Sequence, residues 1–131
     1  SLSAQIQQER ADYYTVLEQT QKGGMDVTEW LLWFLNCLQR AISRAEDTLS
    51  AVLVKALFWE RFANTSMNQR QIKVLNRMLD GFDGKLTTSK WAKLTKCSQD
   101  TAYRDILSLI KLGALVKAEG GGRSTSYDIQ L

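Results

Sequence analysis

Residues 85–131, KLTTSKWAKLTKCSQDTAYRDILSLIKLGALVKAEGGGRSTSYDIQL, constrain the fold more than any other part of the chain. A short run at residues 85–87 can extend. Thr88 then offers a cap for a helix carrying Trp91, Ala92 and Leu94. Ser98 offers a cap for a second helix, whose Ala102, Ile106, Leu109 and Ile110 share one face. Gly113 stops that helix and Leu115-Val116 begins a strand. Residues 120–122 turn the chain, and Tyr127 and Ile129 alternate with polar neighbours on a return strand. Six residues separate Ala92 from Ser98, and a small residue at that distance lets two helices cross closely. Each piece is common alone. In this order they predict a winged helix-turn-helix. Lys96 occupies the turn position where glycine is usual, which predicts a strained or altered turn.

Upstream, Asn68 is expected to cap a helix with Gln71 as its reciprocal partner, and Met67 and Ile72 to staple its start. Ile72, Leu75, Met78 and Leu79 are its expected buried face. Gly81 is its stop, with Phe82 folding back on the last turn. Earlier still, a helix is expected over residues 3–22. Ile6, Arg10, Tyr13, Leu17 and Gln21 share a face, and Gly23-Gly24 supplies a left-handed stop. Asp26 and Glu29 form a capping-box pattern. The helix after them is apolar over more than half its circumference from Trp30 to Ile42, which predicts burial on more than one side. Its periodicity continues to Trp59, so one long helix is expected, with a break near Glu46-Asp47 as the alternative. The tryptophans, at helical spacing amid Leu and Ala, read as core. The chain is thus expected to be mainly α: a helical segment over residues 1–65, then a winged helix-turn-helix with a small β-hairpin wing over residues 66–131.

The composition excludes much chemistry. There is no histidine, which removes imidazole acid/base catalysis, His-paired nucleophiles and His metal ligands together. There is no proline, so Gly, Asn, Asp and Ser must interrupt the helices. Cys37 and Cys97 have no C-x-x-C pairing and read as structural thiols in a cytoplasmic protein. No apolar run reaches the ~18 residues of a membrane span. The first residues show no signal peptide, and their abrupt helical start is expected of a piece cut from a longer protein.

Charge divides unevenly. Residues 1–67 hold six Lys/Arg against eight Asp/Glu, a net −2, and residues 68–131 hold eleven against six, a net +5. A basic C-terminal half points to an anionic partner, DNA for a helix-turn-helix. Gln99, Thr101, Tyr103 and Arg104 would face base edges, with Lys90, Lys93, Lys96 and Arg123 placed for phosphates. Asp100 and Asp105 oppose this, the first by repelling phosphate, the second by competing for Arg104. The alternative is a protein-docking or homodimerising module, because fold does not fix function.

The string WAKLTKCSQDTAYRDILSLIKLGALVKAEGGGRSTSYDI resembles the C-terminal winged helix of the larger bacterial Fic-family proteins. SAQIQQERADYYTVLEQTQKG, DVTEWLLWFLNCLQRAI and AVLVKALFWERF resemble the segment joining a Fic core to that module. The T-A-Y-R-D-I helix is also similar to the reading helix of DeoR-type regulators. The resemblance implies a protein adenylyltransferase parent that transfers AMP from ATP to a protein hydroxyl. The family's signature H-P-F-x-x-G-N-G-R is absent, so no catalytic residue carries over and no cofactor is expected for this chain. ATP and Mg would belong to a Fic domain in cis. The chain would then be a non-catalytic region that binds DNA or positions and regulates that domain.

Overall fold

The computed structural model describes residues 1–118 and 125–131. They form α1 (Leu2–Gln8), α2 (Arg10–Lys22), α3 (Thr28–Arg61), α4 (Gln69–Leu79), β1 (Leu86–Thr87), α5 (Thr88–Thr95), α6 (Gln99–Lys111), β2 (Leu115–Lys117) and β3 (Ser126–Ile129). Packing divides the chain into two units, Ser1–Ser50 and Ala51–Leu131.

In the first unit, the single helix expected over residues 3–22 is two helices. The interruption is at Glu9, with φ −101° and ψ 27°. Its carboxylate accepts hydrogen bonds from Arg40 Nε at 2.7 Å, from a terminal Arg40 nitrogen and from the Gln5 amide. Those partners hold the Glu9 carboxyl below the usual range, Arg40 being the main cause. Gly23 has φ −82° and ψ −173°, so the α2 stop is extended, not left-handed. At the α3 start, Asp26 Oδ1 accepts from the Thr28 backbone N–H at 3.0 Å and from its hydroxyl. Asp26 thus caps the second residue on, and Glu29 does not complete the expected box. The Trp30 and Phe34 rings stack at 5.4 Å, and Tyr13 meets Trp33 at 5.5 Å. Cys37 and Ala41 are buried, and burial raises the Cys37 thiol pKa. Leu31, Leu32, Leu35 and Ile42 are exposed, so the wide stripe is covered on one side only within this unit.

α3 is one helix without a break at Glu46-Asp47. Its last turns belong to the second unit, where Phe58 and Phe62 enter the core. That core continues through Val74, Leu75, Leu86, Trp91, Ala102, Ile106, Leu109, Leu115 and Tyr127. Trp91 is fully buried, as core aromatics should be. The expected division at residues 65–66 marks the end of the helical run. The packing division at Ser50 reflects where Phe58 and Phe62 are buried.

The second unit is a winged helix-turn-helix. Its sheet has the order β1-β3-β2, with both pairings antiparallel. Leu86 faces Tyr127 on one side of β3, and Leu115 faces Ile129 on the other. The helix start at Asn68 is as expected. The Gln71 backbone N–H donates to Asn68 Oδ1 at 3.0 Å, and the Asn68 backbone N–H donates to Gln71 Oε1 at 2.9 Å. The buried face of α4 is wider than the expected one: Leu75 is buried and Met78 and Leu79 pack against the core as expected, but Gln71 and Val74 are buried too, and Ile72 is only half-buried. Gly81 ends the helix region at φ 99°, and Phe82 packs against the core. The α5 cap is Thr87, one residue before the expected Thr88; its Oγ1 accepts from the Lys90 backbone N–H at 3.2 Å. The expected glycine turn with Arg123 lies outside the described residues.

Candidate nucleic-acid interface

Ser98 fixes where α6 begins, because its Oγ accepts the Thr101 backbone N–H at 3.2 Å. From that start, helical spacing sends Ala102, Asp105, Ile106 and Leu109 inward. It leaves Gln99, Asp100, Tyr103 and Arg104 exposed on the first turns. Thr101 is half-buried, and its hydroxyl accepts from the Ser98 hydroxyl at 2.9 Å.

The turn between α5 and α6 is made by Lys96, at φ 53° and ψ 46°. It is the one non-glycine with positive φ among the described residues. In that conformation its own N–H and that of Cys97 both reach the Ala92 carbonyl. The left-handed residue thus closes α5 in the manner glycine usually does, at a steric cost set by its Cβ. The Lys96 side chain is exposed, as is Lys93.

Lys90 is engaged elsewhere. Its ammonium donates to the Asp83 carbonyl and lies 4.0 Å from the Phe82 ring centroid. Both contacts hold it against the α4–β1 connection. Arg104 pairs with Asp100 at 2.8 Å, but the side chains are 78% and 69% exposed. An exposed i,i+4 pair of this kind contributes only a few tenths of a kcal/mol, so another anion can displace Asp100.

Asp105 takes no part in that exchange, contrary to the expected competition for Arg104. It is 6% exposed. Arg70 grips it in a forked contact, Nε at 2.7 Å and a terminal nitrogen at 3.1 Å, and Asn68 Nδ2 donates at 2.8 Å. Gln71 Nε2 donates to the Asp105 carbonyl at 3.1 Å. Burial pushes the Asp105 carboxyl up. The hydrogen bonds from Arg70 and then Asn68 outweigh it and hold the group below its ordinary value. The buried Trp91 indole N–H closes no hydrogen bond of good geometry, but it is near enough to add to the lowering. The residues that cap α4 therefore also fix the rotation of α6. Sequence reading missed this cluster; an Asp at the inward spacing set by Ala102 and Ile106 was its signal.

A shallow groove beside α6 is lined by hydroxyl side chains, among them Thr87, Thr88, Tyr103 and Tyr127. Among the described residues no group of three or more His, Cys, Asp or Glu could hold a metal ion, and no helix is long and apolar enough to cross a membrane.

No family model matches the chain, and no curated protein does. Among the solved structures similar to part of it are the following three. Reduced HlyU from Vibrio cholerae N16961 is 15% identical with a TM-score of 0.42, over 67% of this chain and 81% of its own. The adhesin competence repressor AdcR from Streptococcus pyogenes is 22% identical with a TM-score of 0.41, over 68% of this chain and 61% of its own. RV1404 from Mycobacterium tuberculosis is 17% identical with a TM-score of 0.43, over 69% of this chain and 62% of its own. The fold assignment rests on the helix succession and strand order described above, not on these scores.

The comparisons correct the Fic resemblance. Neither family models nor curated proteins return it, and none of the three structures just described is a Fic protein. The C-terminal resembling string is largely the caps, stops and core spacings that a winged helix requires. The expected adenylyltransferase parent and Fic domain in cis fall with it, and ATP and Mg rested on that resemblance alone.

Proposed function

We propose that the second unit binds double-stranded DNA, with the first turns of α6 in the major groove. Supporting it is the face that Ser98 and Asp105 together create: Gln99, Tyr103 and Arg104 point outward from a helix whose opposite side is locked into the core. In this reading Gln99 and Arg104 carry base contacts, since both can bond bidentately to base edges. Thr101 and Tyr103 support them at the helix start. Lys93 and Lys96, exposed beside the turn, meet phosphates. Lys90 is held by Asp83 and Phe82 and serves the fold of the adjoining connection more than DNA. Arg123 keeps the phosphate role proposed from sequence. A cytoplasmic site of action accompanies the reading.

The test is a fluorescence-anisotropy titration of mixed-sequence duplex DNA from about 50 to 200 mM salt. Wild type should bind with a steep salt dependence. Arg104→Ala should lose about tenfold, in line with 1–3 kcal/mol for a base contact. Asp100→Asn should gain affinity by removing a negative charge from the same turn. Salt-independent binding, or an Arg104→Ala variant equal to wild type, refutes the reading.

A further inference from the structure

Two apolar stripes run along α3. One holds Cys37 and Ala41 towards its start and Phe58 near its end, buried in the units to which they belong. The other is open. From Leu31 it steps to residues 35, 38, 42, 45, 49, 52 and 56, alternately four and three apart, and every position is Leu, Ile, Val or Ala. Leu38 is half-buried and the remaining positions are exposed. A repeat of 3.5 residues held over four heptads is the pattern of a supercoiled helix pair, because a straight helix drifts from such a seam by about 20° per heptad.

We propose that this seam pairs with the same seam of a second copy, running antiparallel. Size supports a second copy. Leu35 is 57% and Leu49 59% exposed. With Leu32 and Leu53 flanking, the stripe offers on the order of 700 Å² of apolar surface, near the roughly 800 Å² per partner of a stable interface. An open apolar surface of that extent marks an interaction site on a folded protein. Charge is compatible, since no ionisable residue interrupts the seam.

Side-chain volume selects the direction. Parallel pairing in register sets Ala45 against Ala45 and Ala56 against Ala56, leaving two thin layers. Antiparallel pairing sets Ala45 of one copy against Ile42 of the other, Ala56 against Leu31, Val52 against Leu35 and Leu38 against Leu49. Each small residue then meets a larger one, as dense packing requires. The pairing is two-fold symmetric and self-complementary. It is independent of the DNA reading, because no seam residue lies on α5 or α6.

Light scattering of the intact chain over about 1 to 100 μM tests it. The wild type should have the mass of two copies and dissociate on dilution. Ile42→Glu with Leu49→Glu should give a single copy throughout, at unchanged helical circular dichroism. Ile42→Ala with Leu49→Ala gives the same reading if the glutamates perturb the helix. Ser43→Glu with Ser50→Glu, beside the seam, should leave the pair intact. Leu31→Glu should weaken association, and adding Ala56→Lys should restore it, since only antiparallel order brings those positions together. A single copy in the wild type at every concentration, open-ended assemblies, or a seam variant that still pairs overturns the proposal. Failure of Ala56→Lys to restore overturns the antiparallel order.

Discussion

Lys96 closes a turn, and in the DNA reading proposed above it would serve a second end as well. The α5–α6 turn needs a left-handed residue, and a lysine fills it at φ 53°. For an L-residue with a Cβ this costs about 1–2 kcal/mol, partly offset because glycine is more costly to order from the unfolded chain. Glycine would therefore make the fold more stable. Lysine there adds an exposed cation beside the reading helix, which is what phosphate contact needs. Lys96→Gly should accordingly raise unfolding free energy by about 0.5–1 kcal/mol in urea titrations. It should also flatten the salt dependence of DNA binding by about 0.9 in log–log slope. A variant that gains stability with an unchanged slope would show that Lys96 does not touch phosphate. The unusual turn was visible in the sequence, because glycine's absence there is a local fact. The opposite held at Glu9, where the helix break depends on Arg40, distant in sequence and brought close only by folding.

Between elements, the join that matters most is α4 to α6. Asn68 caps α4, and the same amide reaches Asp105 on α6; Arg70 and Gln71 complete the link. Sequence periodicity placed the apolar faces of α6 well, because Ala102, Ile106 and Leu109 repeat at helical spacing. On α4 it placed Leu75, Met78 and Leu79 but favoured Ile72 over Gln71, because Gln71 is buried only by virtue of its partner on α6. Polar burial is a tertiary fact that apolar patterning cannot report. The link also makes a pH prediction. The Asp105 carboxyl is held, in the folded state, below its ordinary value of 3.8. Its stabilisation is thus fully present above the unfolded value and is lost as pH falls through the folded one. Asp105→Asn should cost about 1–2 kcal/mol at neutral pH, discounted because Arg70 is partly exposed. The gap to wild type should narrow as pH falls below about 4 in chemical unfolding. A gap independent of pH would assign the loss to shape, not charge. Because the clamp sets the rotation of α6, the same variant should weaken DNA binding although Asp105 itself is out of reach.

At the scale of the whole molecule, α3 is the element that sequence and packing divide differently. Its helical pattern runs to Trp59 and beyond, which invites a boundary after it. Its buried residues belong to two separate units, and Phe58 and Phe62 are part of the winged-helix core. Periodicity reports that a face is apolar but not which segment covers it, so the seam from Leu31 onward and the stripe through Phe58 look alike in sequence. Truncation separates them. A chain starting at Ala51 keeps both phenylalanines and should unfold in one cooperative transition. One starting at residue 66 keeps every helix and strand of the winged helix but lacks both rings. Each buried Phe lost from a core costs about 3–5 kcal/mol, and a domain of this kind has only about 5–15 kcal/mol in total. The shorter chain should therefore be largely unfolded at 25 °C, with weakened near-ultraviolet dichroism from Trp91 and no DNA binding even at low salt. Equal stability of the two truncations would mean that α3 only leans on the core. A cooperative longer fragment beside an unfolded shorter one would make the last turns of α3 the first helix of the winged-helix domain itself.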